Sequence, residues 1–542
     1  RFFYLVFIFN FFIKLFLSKD KLVYLSNNAF EGVLILLVLY DGISYFLFGH
    51  PLLEKLLTQL EIENYRALYH FFIQFFLLFF VSIELIKSIN SVYTTKLKPT
   101  TLFILSFVIL ILGGGLLLTL PGFNTTGEYL NFIDAVFTSG SASCVTGLVV
   151  VNTANFFNVK GQLIILMLIQ FGGIGILTFA SFFASFVRKG IGVKHQIAMN
   201  ELLDSENIRG SYFLIKRILV MTIIIETLGA IGIYMLWGDY QFDSLGEKVY
   251  ASIFHSISAF CNAGFSTLEF NFETPLANEL YMLHIFIGVI IFLGGLGFPV
   301  LRDVFSPTML RDRLHHPWKT WKLSTKVAIY TSIILIVLGM AAFYFLYAKE
   351  KFPDKGPIAL LGITFFQSVN LRTSGFNSIN LEHLPNALLL ISIFQMFIGA
   401  SSASTGGGIK TSTFVVMMVA VIGSIRGKKQ MSISNRTISV ELIYKAFSVV
   451  IFSGLFVLLI ITLLTITDPQ IAPIRLAYEA VSAFATVGLS TGITASISDA
   501  GKIILTIAMF IGRVGIVTLA YSLSTKAIAA DYKYATTHMH IG

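Results

Sequence analysis

Four segments of this 542-residue chain repeat one pattern around a single glycine, and no other feature restricts its possible folds so strongly. They read AVFTSGSASCVTGLVV (135–150), SIFHSISAFCNAGFST (252–267), ITFFQSVNLRTSGFNS (363–378) and AYEAVSAFATVGLSTG (477–492). Their glycines, Gly147, Gly264, Gly375 and Gly488, stand 117, 111 and 113 residues apart. Each interval holds one apolar stretch, a basic loop, a second apolar stretch and the next segment, so the unit reads helix, re-entrant loop, helix. A single glycine in such a setting reads as close helix packing. Four at matching places read as one unit copied along the chain.

The surroundings of these segments require lipid. Only 12% of the chain is charged and 56% is apolar, against about 25% charged in soluble domains. The 38 Lys and Arg and 29 Asp and Glu are too few to clothe a water-soluble enzyme of this size. A hydrocarbon core about 30 Å thick needs about 20 apolar residues of helix. Such windows fall near 100–120, 161–187, 214–237, 280–300, 327–347, 386–422, 446–467 and 501–524, with two or three more before residue 91. The apolar start at Arg1 lacks a small-residue cleavage site and an initiator Met, and reads as a membrane helix rather than a signal peptide. The chain divides into extra N-terminal membrane helices (1–95), pore repeats at 96–190, 191–302 and 303–426, and a fourth repeat with a cytosolic tail at 427–542.

Charge is sorted by loop. Arg188, Lys189, Lys194, Arg209, Lys216 and Arg217 share one connection, Arg302, Arg311, Arg313, Lys319, Lys322 and Lys326 the next, and Arg426, Lys428, Lys429, Arg436 and Lys445 a third. Because Lys and Arg accumulate in cytoplasmic loops, these face inward and the acidic connections face outward. The +9 net charge thus records topology, and no basic run points to nucleic acid. Cys144 and Cys261 are too few for a disulfide framework or a four-ligand zinc site.

Backbone outside a helix survives at membrane depth only inside protein or along a watery cavity, so four such loops should surround an axis. About twelve residues precede each glycine, a half-membrane helix with its partly negative carbonyl end pointing inward. That arrangement favours a cation. Glycine permits a positive-φ turn that lets neighbouring carbonyls face the axis and replace an ion's water shell. Thr486-Val487-Gly488 matches the first three residues of the potassium-filter sequence TVGYG. Val149, Ser266, Asn377 and Ser490 stand where that sequence has its second glycine, so fewer carbonyl rings are expected.

Two further features interrupt the spans. In the third repeat the inner helix is broken by GASSASTGGGIKTS, residues 399–412. The run Gly406-Gly407-Gly408 costs about 1 kcal/mol of helix stability per residue. A phosphate loop is excluded because Ile409 precedes Lys410 where Gly is required. In the fourth repeat Arg513 lies deep in IAMFIGRVGIVTLA, and an intramembrane cation normally faces the interior or water. Asp134, Glu247, Glu269, Glu382 and Glu479 are placed near the outer mouth, either concentrating cations or, for Asp134 and Glu479, stabilising pore-helix N-termini. Arg372 is expected to buttress the third loop through carbonyls. His315-His316, His538 and His540 lack the neighbours of a metal site. With no nucleophile motif or zinc-ligand set in the spans, a membrane enzyme is the weaker reading.

On these residues the chain resembles the Trk/Ktr/HKT superfamily of potassium transporters, as a bacterial Ktr/Trk-type membrane subunit, over residues 96–542. The resemblance implies an all-α integral membrane fold of four pseudo-symmetric helix, pore loop, helix repeats around a central pore, with extra N-terminal membrane helices. It implies that Val145-Thr146-Gly147, Asn262-Ala263-Gly264, Thr373-Ser374-Gly375 and Thr486-Val487-Gly488 form a backbone filter for K+. Glycine in all four places resembles the potassium-selective members, whereas plant relatives with serine in the first loop tend to pass sodium. It implies a gate made of Gly399, Ala400, Ser401, Ser402, Ser404, Thr405, Gly406, Gly407, Gly408 and Lys410, held by Arg513. Also implied are potassium uptake with a possible Na+ dependence, a multi-pass location in the bacterial inner (plasma) membrane, and a homodimer with one pore per subunit. The expected partner is a cytosolic nucleotide-binding regulatory ring of the TrkA/KtrA type, docked on the basic loops and the tail Tyr532–Gly542. The nucleotide belongs to that separate subunit, since no Rossmann fingerprint occurs here. A sodium-permeable or nonselective channel of the same fold is the alternative.

Overall fold

The computed structural model describes residues 99–175 and 211–516, apart from 239, 270, 274–278, 317 and 429. The segment expected to form N-terminal membrane helices, most of the first basic loop, and the tail with His538 and His540 lie outside the described residues. Repeat 1 consists of an outer helix Pro99–Leu118, a pore helix Phe132–Ser143 and an inner helix Val159–Ile174. The same three elements are Ser211–Leu236, Leu245–Cys261 and Tyr281–Leu296 in repeat 2. In repeat 4 they are Val440–Thr467, Pro473–Phe484 and Asp499–Val514. Repeat 3 has Leu323–Phe343 and Pro357–Asn370, followed by an inner helix in two pieces, Asn386–Phe397 and Thr411–Ile425. The window expected at 386–422 is therefore two helices around an intramembrane loop. The window at 280–300 bends by 107° at Gly297 into Phe298–Phe305. Among the described residues, three helices are long and apolar enough to cross a membrane alone, or four counting that bent pair.

Local chemistry sets where the pore helices begin. Asn131 caps the first by accepting from the Ile133 N–H, and Ser244 caps the second through the Glu247 N–H. Pro357 and Pro473 open the third and fourth, at the position where a missing N–H costs nothing. A 12-residue pore helix such as Phe132–Ser143 is about 18 Å long, half of a bilayer's hydrocarbon and headgroup thickness.

The repeats close on themselves. Pore helices 2, 3 and 4 pack against the inner helices of repeats 1, 2 and 3, and pore helix 1 packs against the inner helix of repeat 4. Large apolar side chains point outward from this ring, for example Leu112 and Leu116 on the first outer helix and Phe452, Leu455 and Leu459 on the last. Small polar ones are buried within it: Ser139, Ser256 and Ser368 bind outer-helix carbonyls, and Ser141, Ser258 and Ser482 turn to the loops at the centre. A molecule arranged with oil outside and hydroxyls inside uses lipid as its solvent.

A motif shared by three of the inner helices holds them to this ring. Gly172-Gly173-Ile174-Gly175, Gly294-Gly295-Leu296-Gly297 and Gly512-Arg513-Val514-Gly515 stand at matching places. A Cβ on Gly172, Gly294 or Gly512 would be driven into the carbonyl oxygen of Ser143, Phe260 or Phe484, at the end of each repeat's own pore helix. Alanine at any of the three is expected to destabilise the protein by about 1–3 kcal/mol through overpacking. Gly454→Ala, in the last outer helix with open space around it, is expected to be neutral or stabilising. Thermal unfolding in detergent checks both; a Gly172→Ala protein as stable as the parent contradicts the close-packing account.

Candidate functional site

The four triplets expected to form the filter meet at the centre of the ring. A Cβ built on Gly147 would lie 2.5 Å from the carbonyl oxygen of Ala263, and one on Gly375 would lie 2.8 Å from that of Val487. Gly264 faces the Ser374 carbonyl and Gly488 the Thr146 carbonyl in the same way. Each glycine thus abuts the residue before the glycine in the next repeat, and the fourth abuts the first. The same Cβ positions lie 3.3, 2.8, 3.1 and 2.8 Å from the next glycine's Cα. All twelve triplet residues are buried. No side chain fits anywhere on this circle.

Backbone conformation repeats as well. Val145, Asn262, Thr373 and Thr486 take φ of 58°, 61°, 80° and 50°, and the four glycines 100°, 69°, 73° and 88°. Three of those four non-glycine residues are β-branched, for which a positive φ is a strained outlier. The pore-helix ends hold it. The N–H groups of Thr146, Ala263 and Val487 donate to the carbonyls of Ser141, Ser258 and Ser482 at 2.7, 2.7 and 2.8 Å, and Ser374 N–H donates to Asn370 O at 3.2 Å. The serine hydroxyls add to this: Ser141 Oγ and Ser482 Oγ accept from the Gly147 and Gly488 N–H groups at 3.0 and 3.1 Å, and Ser258 Oγ donates to Phe265 O at 2.8 Å. The middle N–H of all four triplets is thus engaged by a helix end. After each glycine a buried Leu148, Phe265, Phe376 or Leu489 wedges the loop into the protein.

The interrupted segment of repeat 3 lies against this ring. Gly407 N–H donates to Thr486 Oγ1 at 2.9 Å, and a Cβ on Gly406 would strike Thr373 Oγ1. Gly399 has no room for a side chain because Gly407 O lies against it, and Gly408 turns the chain with φ 70°. Ile398 and Ile409 pair as a parallel bridge that pins the loop's two ends together. Toward repeat 2, Ser401 N–H donates to Gly295 O at 3.0 Å, Phe298 N–H to Ala403 O at 3.2 Å and Thr405 Oγ1 to Phe260 O at 3.4 Å. Within the loop, Thr411 N–H donates to Ala400 O, Ser404 Oγ to Ser401 O, and Ser402 Oγ pairs with Ser412 Oγ. Lys410 Nζ reaches back to Gly406 O at 2.6 Å.

Arg513 ties the loop across the ring. Its Nη1 donates to Thr405 O, and its Nη2 to Gly172 O and, at 3.3 Å, to Gly173 O. One guanidinium thus joins repeat 4 to repeats 3 and 1, using a donor fork that lysine lacks. In repeats 1 and 2 the position of Arg513 holds Gly173 and Gly295. Arg372 does not support its own filter loop as expected; its Nη2 donates to Gly399 O at 3.0 Å and anchors the start of the intramembrane loop.

The acidic residues expected at the mouth are mostly engaged. Asp134 sits in the first turn of its pore helix and pairs with Lys502 Nζ at 2.7 Å. Glu247 lies in the first turn of the second pore helix and accepts from the Asp243 N–H. Glu269 Oε1 accepts from Asn155 Nδ2. Glu479 is no helix-end residue: it lies midway along Pro473–Phe484, fully buried. His316 leans on Asp312, and among the described residues no group of three His, Cys, Asp or Glu could hold a metal. Cys144 and Cys261 are buried free thiols, and Cys261 Sγ donates to Gln170 Oε1 at 3.5 Å. One intramembrane charge escaped the sequence reading: Glu226 in the second outer helix is buried, and Gln170 Nε2 donates to both its oxygens at 3.0 and 3.1 Å. A lone Glu in the apolar run MTIIIETLGAIG was its visible signal.

Fold and site together define a helical membrane protein whose four re-entrant loops close into one ring of backbone. The chain matches the family described as TrkH, cation transport protein, over residues 69–528. It is 35% identical over 455 residues to the potassium/sodium uptake protein NtpJ of Enterococcus hirae, covering 82% of this chain and 98% of that one. To the Ktr system potassium uptake protein B of Bacillus subtilis it is 36% identical over 454 residues, covering 82% and 97%. The crystal structure of the potassium transporter TrkH from Vibrio parahaemolyticus shares the fold, with a TM-score of 0.60, 18% identity and coverage of 79% of this chain and 86% of that one. This chain belongs to the TrkH family of cation transport proteins.

Because Lys502 neutralises Asp134 locally, Asp134→Asn is expected to leave the apparent affinity for the transported cation within about twofold. Concentration-dependent uptake checks this; a tenfold loss would give Asp134 the attracting role that its pairing denies it.

Proposed function

We propose that this protein takes up potassium across the plasma membrane through the four-triplet ring, with residues 399–412 and Arg513 as its gate. The reading is carried by one observation: each glycine of the ring abuts the carbonyl of the next repeat, with no side chain between them. A circle of carbonyl oxygens at membrane depth replaces the water shell of a monovalent cation. The names of the Bacillus subtilis and Enterococcus hirae relatives, both potassium uptake proteins, support the choice of ion. Glycine at Gly147 supports potassium over sodium by the resemblance drawn from the first loop.

A sodium-permeable role keeps one supporting observation, the Enterococcus hirae relative's name as a potassium/sodium uptake protein. Sodium dependence of potassium uptake is part of the proposal for the same reason. The gate reading rests on the loop's contacts with Thr373 and Thr486, the first residues of two triplets, and on the guanidinium that spans to repeat 1. Opening then requires Arg513 to release Thr405 O, and the hydroxyl-rich loop has replacement partners in water. We also propose a homodimer in the bacterial inner membrane, seated on a nucleotide-binding regulatory ring.

In cells lacking other uptake systems, the protein is expected to restore growth on low potassium and to favour potassium over sodium. Gly147→Ser and Gly264→Ser are expected to lower that preference by about tenfold or more, since an added Cβ enters the ring. No cation flux from the parent protein would remove the proposal. Arg513→Ala or deletion of Ala400–Ser404 is expected to raise the potassium flux about tenfold, the loss of the charge-assisted bond to Thr405 O that holds the loop closed. Unchanged flux in both would remove the gate but leave the filter.

A further inference from the structure

Three buried polar side chains on the pore helices reach outward, past the filter glycines, to serines of the outer lip. In repeat 2, His255 is fully buried; its Nδ1 lies 2.7 Å from Ala251 O and its Nε2 lies 2.9 Å from Ser266 Oγ. Ala251 O can only accept, so Nδ1 carries the proton and Nε2 accepts from the Ser266 hydroxyl. In repeat 4, Ser490 Oγ donates to Oε1 of fully buried Glu479, which also accepts from Thr494 Oγ1 at 3.2 Å. In repeat 3, the amide of fully buried Gln367 donates to Ser378 Oγ at 3.2 Å. Each pair is separated by 11 residues, with the repeat 3 pair one place further along relative to its glycine than the other two.

The serines are also built into the lip. Ser266 Oγ accepts the Leu268 N–H at 2.9 Å, and Ser490 Oγ accepts the Gly492 N–H at 3.0 Å. These two hydroxyls therefore fix the backbone turn beyond the glycine and tie it to a rigid helix behind, and Ser378 is tied to its helix through Gln367. Repeat 1 is different. Its corresponding residues are Thr138, whose hydroxyl bonds back to Asp134 O within the helix, and Val149, which has no hydroxyl. Buried polar groups as chemically unlike as imidazole, carboxamide and carboxylate are costly among apolar side chains unless they are paired. Packing alone would call for none of them, yet all three are spent on the same lip.

We propose that His255, Gln367 and Glu479 are positioning residues for ion selectivity, acting as struts that hold the outer ends of three filter loops at fixed width. This rests on the filter reading above. A ring sized for potassium discriminates against sodium only while its carbonyls resist closing around the smaller ion. The struts supply that resistance from behind, without touching the ion. Repeat 1, lacking one, depends on the wedge at Leu148 and on its neighbours.

The test removes only the hydroxyl that each strut holds. Ser266→Ala, Ser378→Ala and Ser490→Ala are compared with Val149→Ala in the unstrutted loop, by potassium and sodium uptake into cells with membrane abundance measured in parallel. Each serine variant is expected to lower the potassium-over-sodium ratio by about three- to tenfold, the worth of one hydrogen bond, while still transporting potassium. Val149→Ala is expected to leave the ratio unchanged. Ser→Thr at the same positions keeps the hydroxyl and is expected to restore the ratio, which also serves where an alanine variant fails to accumulate. Unchanged ratios in the serine variants, or an equal fall in Val149→Ala, would overturn the struts and leave the filter standing. A parent protein that does not discriminate the two ions would instead overturn the filter reading.

Discussion

The structure depends on one contact made four times: a glycine of one repeat pressed against the backbone carbonyl of the next. It closes a linear chain into a ring, and it sets the distance between loops by the size of an oxygen and a Cα rather than by side chains. Everything behind it follows from holding that ring. Pore helices of half-membrane length bring their carbonyl ends to the centre. Serines near those ends take the loop N–H groups, and buried Leu and Phe residues after each glycine prevent the loops from springing back. Strained φ values at Val145, Thr373 and Thr486 are tolerated because these supports over-determine the turn.

Asymmetry is laid on this symmetric frame. Repeats 1 and 2 keep Gly173 and Gly295 on their inner helices, whereas repeat 4 places Arg513 at that position and repeat 3 replaces helix with loop. The exceptions answer one another: the arginine's donors go to carbonyls that a broken helix and a glycine-rich helix end leave available. Lys410 and Arg372 serve the same loop from within repeat 3. Three cations thus satisfy one stretch of irregular backbone at membrane depth.

Much of this was legible in the sequence because repetition amplifies weak signals. Gly147 alone means little, and its three counterparts make it architecture. The broken helix at 399–412 and the depth of Arg513 could be read because each violates what a span tolerates. Pairings across repeats were not legible. Arg372 was expected to brace its own loop, but its partner is Gly399, 27 residues on. Only the fold shows Glu479 midway along the pore helix, facing Ser490; its sequence position is equally compatible with a helix-end charge or a cation-attracting one. The G-x-x-G pattern at 172–175 and 294–297 was hidden by its ordinariness, since glycine is frequent in membrane helices.

A carbonyl circle that serves as an ion site should bind heavy monovalent cations in place of potassium. Crystals of the protein grown with rubidium or thallium in place of potassium should show an anomalous peak on the axis, among the carbonyl oxygens of Thr146, Ala263, Ser374 and Val487. An empty ring, with the ion bound elsewhere in the protein, would contradict the account.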